Sequence, residues 1–549
     1  MILVEDFYQT VSQWTKKLVE IPSINGTIGE TAIMDEVEQL LRTFSYFKKH
    51  PDQVWHKEIP GDPLGRKSVF GLVKGEKGYS TKTVLLHGHL DTVAIDDFGE
   101  WKHYATEPEY LMEKMKELDL DSEVKRDLDS GDWYFGRGSV DMKSGVASHL
   151  AVLQYFCEHT NEFSGNVLFM ANPIEETTHG GIIDALDELV RLKKDQHFDY
   201  VTAINADFVG PLYPGDTTKY IYLGSVGKLL PSFYIRGKET HVGQPFEGLD
   251  PNLIASELVR RINYNMSLAD EAEGETTLPP VTLKLEDLKP TYNVQTPFSS
   301  FVYFNYFVHK IKPSEVISQL LGIAFDAFKD VIDSLNDQYK EYCRVLNREI
   351  EPLPWKPRVI TYQELYAKVL KDSGEIVNER LQEILDKNKR GDLRVASRML
   401  VDELLKMDSD QTPVIVVFFS APYVPHNYAK DTNEKDQKWL KQLDSLVQEI
   451  GEKNKESFQI KKFFPSLTDS SYLSMDDSDE DIQDLKSNFP GMDVLYPVPV
   501  KTIKSLNIPA INLGVWGKDA HKWTERVYKP FSFQILPELT MRFTLSLLE

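Results

Sequence analysis

The chain has 549 residues, 41% of them hydrophobic and 27% charged, which is typical of a globular protein with two or three domains. Its formal net charge of -23 disfavours a nucleic acid or an anionic membrane surface as the main partner, because both would repel it. The only cysteines, Cys157 and Cys343, are too few for a disulfide framework or a thiolate zinc site. The N-terminal segment lacks the positive charge of a signal peptide and no segment has the length of a membrane span, so we expect a cytoplasmic protein.

The first part of the chain alternates predicted helices with predicted strands. Apolar residues three and four positions apart predict helices, whereas short apolar runs rich in β-branched residues predict buried strands. This alternation favours a parallel sheet covered on both faces, so the predicted fold class is α/β. The predicted helices are 5–20, 30–48, about 108–119 and 141–158, and the predicted strands are 83–87, 166–171 and 200–206.

The pattern changes near Gly224 and changes back after Pro422. Between these residues, predicted strands alternate irregularly with long charged helices, which is typical of an α+β domain with extra helices. We therefore expect an α/β domain in two parts, 1–223 and 423–549, interrupted by an inserted domain over 224–422. The inserted domain has predicted strands at 229–235, 301–308 and 414–419 and helices at 250–264, 313–348 and within 361–407, and the last part has a helix at 433–453 and strands at 458–464 and 510–515.

Acidic residues and histidines recur directly after the predicted parallel strands. Open α/β sheets bind ligands at the carboxyl ends of their strands, so we expect these side chains to converge. Imidazoles and carboxylates without a thiolate are typical of a hydrolytic zinc or manganese site, and several carboxylates allow two ions. In chain order the residues are His89, Asp91, Glu175, Glu176, Asp207 and His521.

Three assignments stay open at this level. His87 and His89 lie on the same face of a strand, so periodicity does not decide which imidazole would bind a metal. Glu175 and Glu176 are neighbours, and in the extended segment expected here they point in opposite directions, so that one can bind metal while the other is a free base. His241 lies in the inserted domain, and an isolated histidine is more often structural than catalytic.

The order of these motifs resembles that of the two-metal aminoacylase and carboxypeptidase family, metallopeptidase family 20. The resemblance implies a parallel-sheet zinc-peptidase domain interrupted by a lid domain of the dimerisation type. It also implies two divalent metal ions, zinc first and cobalt or manganese as alternatives. Asp141 would bridge both ions, His89 and Asp207 would complete one set of ligands, and Glu176 and His521 would complete the other. The matching motifs are His89-Leu90-Asp91, Gly138-Ser139-Val140-Asp141-Met142-Lys143, Glu175-Glu176, Asp207 and Ala520-His521.

The resemblance also implies roles around the metal ligands. Asp91 would orient His89, and Glu175 would be the general base that takes a proton from the attacking water. His241 matches the lid histidine that stabilises the oxyanion, either within its own chain or from the partner subunit of a homodimer. Asn293 matches a substrate-binding residue of the lid, but the arginine that many members have thirteen residues later is Tyr306 here. A phenol cannot make the bidentate contact of a guanidinium, so we expect less dependence on a free α-carboxylate.

The implied activity is hydrolysis of an amide C–N bond in a small peptide or an N-acyl amino acid. The length and the helical insertion resemble those of family members associated with arginine utilisation. Two alternatives remain open: a metal-binding protein of the same fold without catalysis, and a scaffold that binds partners through the helices of 361–407. The presence of Glu175 weighs against the first, because metal binding does not require it. The protein is expected to be a homodimer or a monomer with an enlarged lid.

Overall fold

The computed structural model describes residues 6–389, 391–430 and 433–549, and these residues form two compact units. Within this part of the chain, unit 1 comprises the residues up to Ser225 together with Asn427–Met475 and Pro499–Glu549. Unit 2 comprises Val226–His426 and Asp476–Val498. The segment 476–498 therefore belongs to unit 2, although the sequence analysis assigned it to the last part of the α/β domain.

An eight-stranded sheet forms the centre of unit 1. Its strand Lys82–His89 pairs in parallel with a neighbour on each side, and Asp199–Asn205 pairs in parallel with Ala510–Asn512. Antiparallel pairs occur towards the edges, so the sheet is mixed with a parallel centre. The predicted α/β class is confirmed. In spatial order the strands are Val54–Glu58, Lys67–Lys74, Asn166–Asn172, Lys82–His89, Asp199–Asn205, Ala510–Asn512, Lys219–Tyr222 and Phe458–Lys461.

Helices cover this sheet, and one of them is buried on almost every side. Lys143–Glu158 combines small and apolar residues around its whole circumference, as expected of a helix packed between other elements. It packs against Phe7–Val19 and Leu536–Leu548. The helices of unit 1 are Phe7–Val19, Gly29–Thr43, Ser45–Lys49, Pro108–Met115, Ser122–Ser130, Lys143–Glu158, Glu175–Thr178, Gly180–Asp195, Glu434–Asn454, Val500–Leu506 and Leu536–Leu548.

Unit 2 combines a second sheet with long helices. Two of its helices begin with an aspartate cap: Asp250 accepts a backbone N–H at the start of Pro251–Ile262, and Asp392 does so for Leu393–Met407. Among the helices of the described residues, none is both long and apolar enough to cross a membrane. The main strands are Val281–Asp287, Ser299–Val308, Pro231–Arg236, Val414–Phe419, Val359–Thr361 and Gly227–Leu229, and the helices are Pro251–Ile262, Pro313–Val345, Tyr362–Ser373, Ile376–Asn388, Leu393–Met407, Asp479–Ser487 and Met492–Leu495.

Short strands complete both units. In unit 1, Trp133–Phe135, Gly517–Lys518 and Arg526–Tyr528 form a small sheet, and Gly224–Ser225 pairs with Asn427–Tyr428. In unit 2, Glu271–Ala272 pairs with Glu275–Thr276. The first of these sheets brings the segment around Arg526 beside the segment that precedes Asp141.

Two predicted elements are each divided in the structure. The helix predicted over 30–48 breaks at Phe44, whose ψ of 142° is extended. The strand predicted over 229–235 is interrupted before Pro231, which has no N–H for a sheet hydrogen bond. Both divisions are local backbone effects within otherwise continuous apolar patterns.

A glycine allows the helix Lys143–Glu158 to approach the strand end that carries Asp207. A Cβ atom on Gly145 would lie 2.2 Å from the carbonyl oxygen of Ala206, which is far inside van der Waals contact. The obstacle is backbone rather than a flexible side chain, so the helix or the strand end would have to move. The residue type at position 145 therefore helps to define the site described below.

We predict that Gly145→Ala destabilises the protein by about 1–3 kcal/mol, the usual effect of overpacking a close contact. The matched control is Gly322→Ala, at an exposed position inside the helix Pro313–Val345, where an added Cβ has no heavy atom within 4 Å. This control should stabilise by roughly 0.5–1 kcal/mol, because alanine loses less backbone freedom on helix formation. Denaturant unfolding of both variants measures the difference, and equal effects would contradict the close approach.

Candidate functional site

His89 is the last residue of its strand, and each nitrogen of its imidazole has an oxygen partner. Nε2 lies 3.2 Å from Oδ1 of Asp141, and Nδ1 lies 3.1 Å from the carbonyl oxygen of Asp91. The neighbouring His87 is directed elsewhere, with Nε2 3.2 Å from Oγ of Ser470. Burial would lower the pKa of His89, but the charge of Glu175 and the contacts with Asp141 and Asp91 raise it well above its ordinary value. Of the two histidines that periodicity left open, His89 is therefore the one beside the acidic residues Asp141, Glu175, Glu176 and Asp207, called the acidic cluster below.

The carboxylate of Asp141 lies between two imidazoles. Its Oδ1 faces His89, and its Oδ2 lies 3.0 Å from Nε2 of His521. The same nitrogen of His521 lies 3.1 Å from Oε2 of Glu176. Contacts with these two carboxylates raise the pKa of the half-exposed His521 to about 11. His89, Asp141 and Glu176 each offer a ligand atom within 4.8 Å of the others, so they are able to hold a metal ion.

Glu175 and Glu176 begin a single helical turn, Glu175–Thr178, so the extended backbone expected for them is wrong. Asp91 explains the turn, because its Oδ1 and Oδ2 accept the backbone N–H groups of Glu175 and Glu176, each at 3.0 Å. Asn25 donates a third hydrogen bond to Asp91 at 2.9 Å. The buried carboxylate of Asp91 therefore orients the glutamate pair through the backbone, while its Oδ1 lies 3.6 Å from Nδ1 of His89.

The two glutamates still face different partners. Glu176 contacts His521, whereas the two oxygens of Glu175 are divided between two histidines. Its Oε2 lies 3.9 Å from Nε2 of His89, and its Oε1 lies 3.6 Å from Nδ1 of His179. Burial raises the pKa of Glu175 well above its ordinary value, and although His89 opposes this shift, the charge of Glu176 adds to it. A carboxyl with a raised pKa beside a polar cluster is suited to exchanging protons.

Asp207 places a further carboxyl group in the same region. Its side chain is buried and accepts the backbone N–H of Phe208 at 2.8 Å. Burial, together with the charge of Asp141, raises the pKa of Asp207 to about 7. Burial and the charge of Asp141 also raise the pKa of Glu176. The protein without cations therefore holds these carboxylates close to one another at an electrostatic cost.

Glu525 is a residue that the sequence analysis missed. Its Oε1 accepts the backbone N–H groups of Val140 and Asp141 at 3.1 and 3.2 Å, and its Oε2 accepts a hydrogen bond from Arg137 at 2.8 Å. Burial raises the pKa of Glu525 to about 7, although the charge of Arg137 opposes the shift. Glu525 thus supports the backbone at Asp141, and no local sequence signal could have linked residues 384 positions apart.

His179 and Asp469 were also missed. Nδ1 of His179 lies 3.1 Å from Oδ1 of Asp469, and both residues are buried. Together with Glu175 they form a further group in the described chain whose ligand atoms lie within 4.8 Å. His179 follows Glu175 by four residues, a spacing that indicates proximity once the segment is known to be helical. Asp469, 290 residues away, has no such signal.

The turn that contains Asp469 is held by polar residues at the ends of the parallel strands. Nδ2 of Asn205 donates to Oγ1 of Thr468 at 2.7 Å, and Nδ2 of Asn172 donates to Oδ2 of Asp469 at 3.3 Å. Ser470 contacts His87 as described above. The carboxyl ends of the central strands therefore supply two sets of groups, one to the acidic cluster and one to this turn.

The predicted lid residues all lie in unit 2. His241 is exposed, and its Nδ1 accepts the backbone N–H of Gly243 at 3.0 Å. Asn293 is also exposed, and its Oδ1 accepts the backbone N–H of Gln295 at 3.1 Å. Tyr306 is buried, and its hydroxyl lies 3.4 Å from Oε1 of Gln319, to which it donates. The roles of these residues at the reacting carbonyl and in substrate binding stay predictions.

Comparisons with known proteins identify the family and the fold of this chain. The sequence profile of peptidase family M20/M25/M40 matches residues 85–478. Protein RocB of Bacillus subtilis (strain 168) is 43% identical over 541 residues, covering 98% of this chain and 95% of that protein. The uncharacterized protein YqjN of the same strain is 36% identical over 536 residues, covering 97% and 95%. The crystal structure of a tripeptidase from Staphylococcus aureus has a similar fold, with a TM-score of 0.52, 14% identity and 98% of each chain covered.

The raised pKa of Asp207 predicts a pH-dependent difference in stability from Asp207→Asn in protein free of divalent ions. Between about pH 4 and 7 the folded protein keeps the Asp207 proton, whereas the unfolded chain, with its ordinary pKa of 3.8, loses it. The folded state then binds more protons, so the wild-type free energy of unfolding falls relative to the variant as pH rises, by at most about 1.4 kcal/mol per pH unit.

Denaturant unfolding at several pH values measures this difference, which should level off above about pH 7. Asp199→Asn, at the exposed start of the same strand, is the matched control and should follow the wild type. A constant difference between wild type and Asp207→Asn across this range would contradict the electrostatic description of the cluster.

Proposed function

The chain belongs to peptidase family M20/M25/M40, and we propose that it is a two-metal hydrolase that cleaves an amide C–N bond in a small peptide or an N-acyl amino acid. The observation that carries this proposal is the position of Asp141. Its two carboxylate oxygens lie 3.2 Å from His89 and 3.0 Å from His521, each oxygen facing a different imidazole. A carboxylate placed in this way is suited to bridging two cations.

The imidazole and carboxylate side chains of the site are suitable ligands for two divalent cations. Imidazole and carboxylate groups without a thiolate suit zinc, with cobalt and manganese as alternatives. Burial and mutual repulsion raise the pKa values of Asp207 and Glu176, so bound cations would offset an existing excess of negative charge. In the proposed arrangement Asp141 is shared, His89 and Asp207 complete one set of ligands, and Glu176 and His521 complete the other.

Glu175 is the proposed general base. When bound, the two cations would supply Lewis acidity and bring the pKa of a nearby water towards about 7. Glu175 lies beside the proposed ligands, with Oε2 3.9 Å from Nε2 of His89, and its burial favours uptake of a proton. It would accept a proton from the attacking water and deliver it to the leaving nitrogen. Because simple metal storage needs no such group, this position favours a catalytic protein over a metal-binding one.

The substrate is proposed to be small and basic. The formal net charge of -23 favours a cationic ligand over an anionic one through long-range attraction. The resemblance to family members associated with arginine utilisation supports the same choice. Dipeptides and N-acyl derivatives that contain arginine are therefore the first substrates to test, with lysine-containing and uncharged analogues for comparison.

Two neighbouring substitutions test this proposal. Glu175→Gln should abolish hydrolysis of arginine dipeptides and N-acyl arginines while keeping the metal content of the wild type, because a general base is removed and no ligand is lost. Glu176→Gln should lose about one ion per chain as well as activity, because an amide is a weaker ligand than a carboxylate. Elemental analysis after incubation with zinc and gel filtration, together with initial rates for each substrate, measures both effects.

The wild-type protein should retain two ions per chain in the same experiment. Equal metal loss in both variants, or full activity of Glu175→Gln, would contradict the division of roles between the two glutamates. A wild-type protein that retains no divalent ion and hydrolyses none of the substrates would contradict the proposed function as a whole.

A further inference from the structure

A buried histidine, itself hydrogen-bonded to a buried aspartate, lies beside the oxygen of Glu175 that does not face His89. Nδ1 of His179 lies 3.6 Å from Oε1 of Glu175 and 3.1 Å from Oδ1 of Asp469. Both His179 and Asp469 are nearly inaccessible to solvent, with exposed fractions of 3% and 2%. The three side chains therefore form a row, Asp469–His179–Glu175, that ends at the acidic cluster.

The carboxylate of Asp469 determines which nitrogen of His179 carries a proton. An ionised carboxylate only accepts hydrogen bonds, so the nitrogen 3.1 Å away, Nδ1, is the one that donates to it. The other oxygen of Asp469 accepts from Nδ2 of Asn172, and Thr468 is held by Asn205. Asp469 is thus anchored from the sheet, and it specifies both the tautomer and the ring orientation of His179.

The backbone also places His179 against Glu175. The residue follows Glu175 by one helical turn and has a φ of 54°, in the left-handed region that β-carbon-bearing residues rarely adopt. In this conformation it ends the turn Glu175–Thr178, while Asp91 holds the beginning of the same turn. Both ends of the segment that carries Glu175 are therefore fixed.

We propose that Asp469 and His179 are positioning residues that orient the carboxylate of Glu175 for proton transfer. At 3.6 Å from Oε1 of Glu175, Nδ1 of His179 makes no hydrogen bond with it, but the positive end of its N–H bond attracts this oxygen. Oε2 of Glu175 therefore remains on the side of His89 and the proposed metal ligands. This inference rests on the proposed function, because it assigns a role to residues that act through the general base. Neither residue is proposed to touch the substrate.

An alternative use of the same group is a further metal site, since its ligand atoms lie within 4.8 Å of one another. The geometry favours the orienting role over a metal site. Nδ1 of His179 is the atom closest to both carboxylates, and one proton there satisfies the contact with Asp469 directly. A metal at this position would also take Glu175 away from its role as a base.

The hydrogen bond from Asn172 makes Asp469→Asn an informative test of the positioning role. Because Asn172 donates to Oδ2 of residue 469, an asparagine there would keep its oxygen towards Asn172 and turn its NH₂ group towards His179. Nδ1 of His179 would then accept, its proton would move to Nε2, and a lone pair would replace the N–H bond 3.6 Å from Oε1 of Glu175. The variant therefore reverses the tautomer with little change in volume.

His179→Asn has a matched control in His197→Asn. His197 has a φ of 55°, close to the 54° of His179, but its side chain is exposed. Asparagine tolerates the left-handed region, so backbone effects of the two substitutions are comparable. A difference between these variants therefore reports on the row and not on the backbone.

Asp469→Asn and His179→Asn should each lower kcat by about 10–100-fold, the usual effect of removing a partner that orients a reacting group. The double variant should lose little more, because the two residues act in series. KM, metal content and thermal stability should remain near the wild-type values, and His197→Asn should be fully active. In ¹⁵N-histidine NMR spectra of the metal-free protein, the N–H of His179 should move from Nδ1 to Nε2 in Asp469→Asn.

Each negative result would contradict a different part of the proposal. Unchanged kcat in both variants, or an unchanged His179 resonance in Asp469→Asn, would overturn the positioning role. Loss of a bound ion in either variant would overturn it in favour of a metal site at this group. Absence of turnover in the wild-type protein would instead contradict the proposed function itself, whatever the NMR spectra show.

Discussion

The interaction on which the rest of the site depends is the contact of one buried carboxylate, Asp141, with two imidazoles. His89 and His521 approach its two oxygens at 3.2 and 3.0 Å. Glu176 and Asp207 add negative charge nearby, and burial raises the pKa of each. Such a concentration of buried carboxylates is costly unless positive charge is supplied. Two divalent cations at the proposed ligands would supply it, and this requirement connects the electrostatics of the site to its proposed chemistry.

Much of the surrounding structure serves to hold these groups in place. Glu525 supports the backbone at Asp141, and Asp91 holds the turn that carries Glu175 through two backbone hydrogen bonds. The absence of a side chain on Gly145 lets the helix after Asp141 approach the strand end before Asp207. These contacts come from segments that are distant in sequence. The proposed base and the proposed ligands therefore belong to one framework in unit 1, anchored at the carboxyl ends of its parallel strands.

How much of this arrangement could be predicted depends on how far apart in sequence the interacting residues lie. Apolar runs identified the central strands to within a few residues, and the shared edge of parallel strands explains why His89 and the acidic residues meet. The one-turn helix at Glu175 could not be foreseen, because it depends on capping by Asp91, 84 residues earlier. Glu525 and Asp469 carry no local pattern at all, since an isolated carboxylate shows its role only through the partners that the fold brings to it.

Anomalous X-ray scattering from crystals grown with zinc would test the central claim most directly. We expect two peaks at the zinc edge in each chain, on either side of the Asp141 carboxylate, one beside His89 and Asp207 and the other beside Glu176 and His521. A single peak, or peaks that do not contact Asp141, would contradict it. A peak among Glu175, His179 and Asp469 would contradict the assignment of Glu175 as a free base.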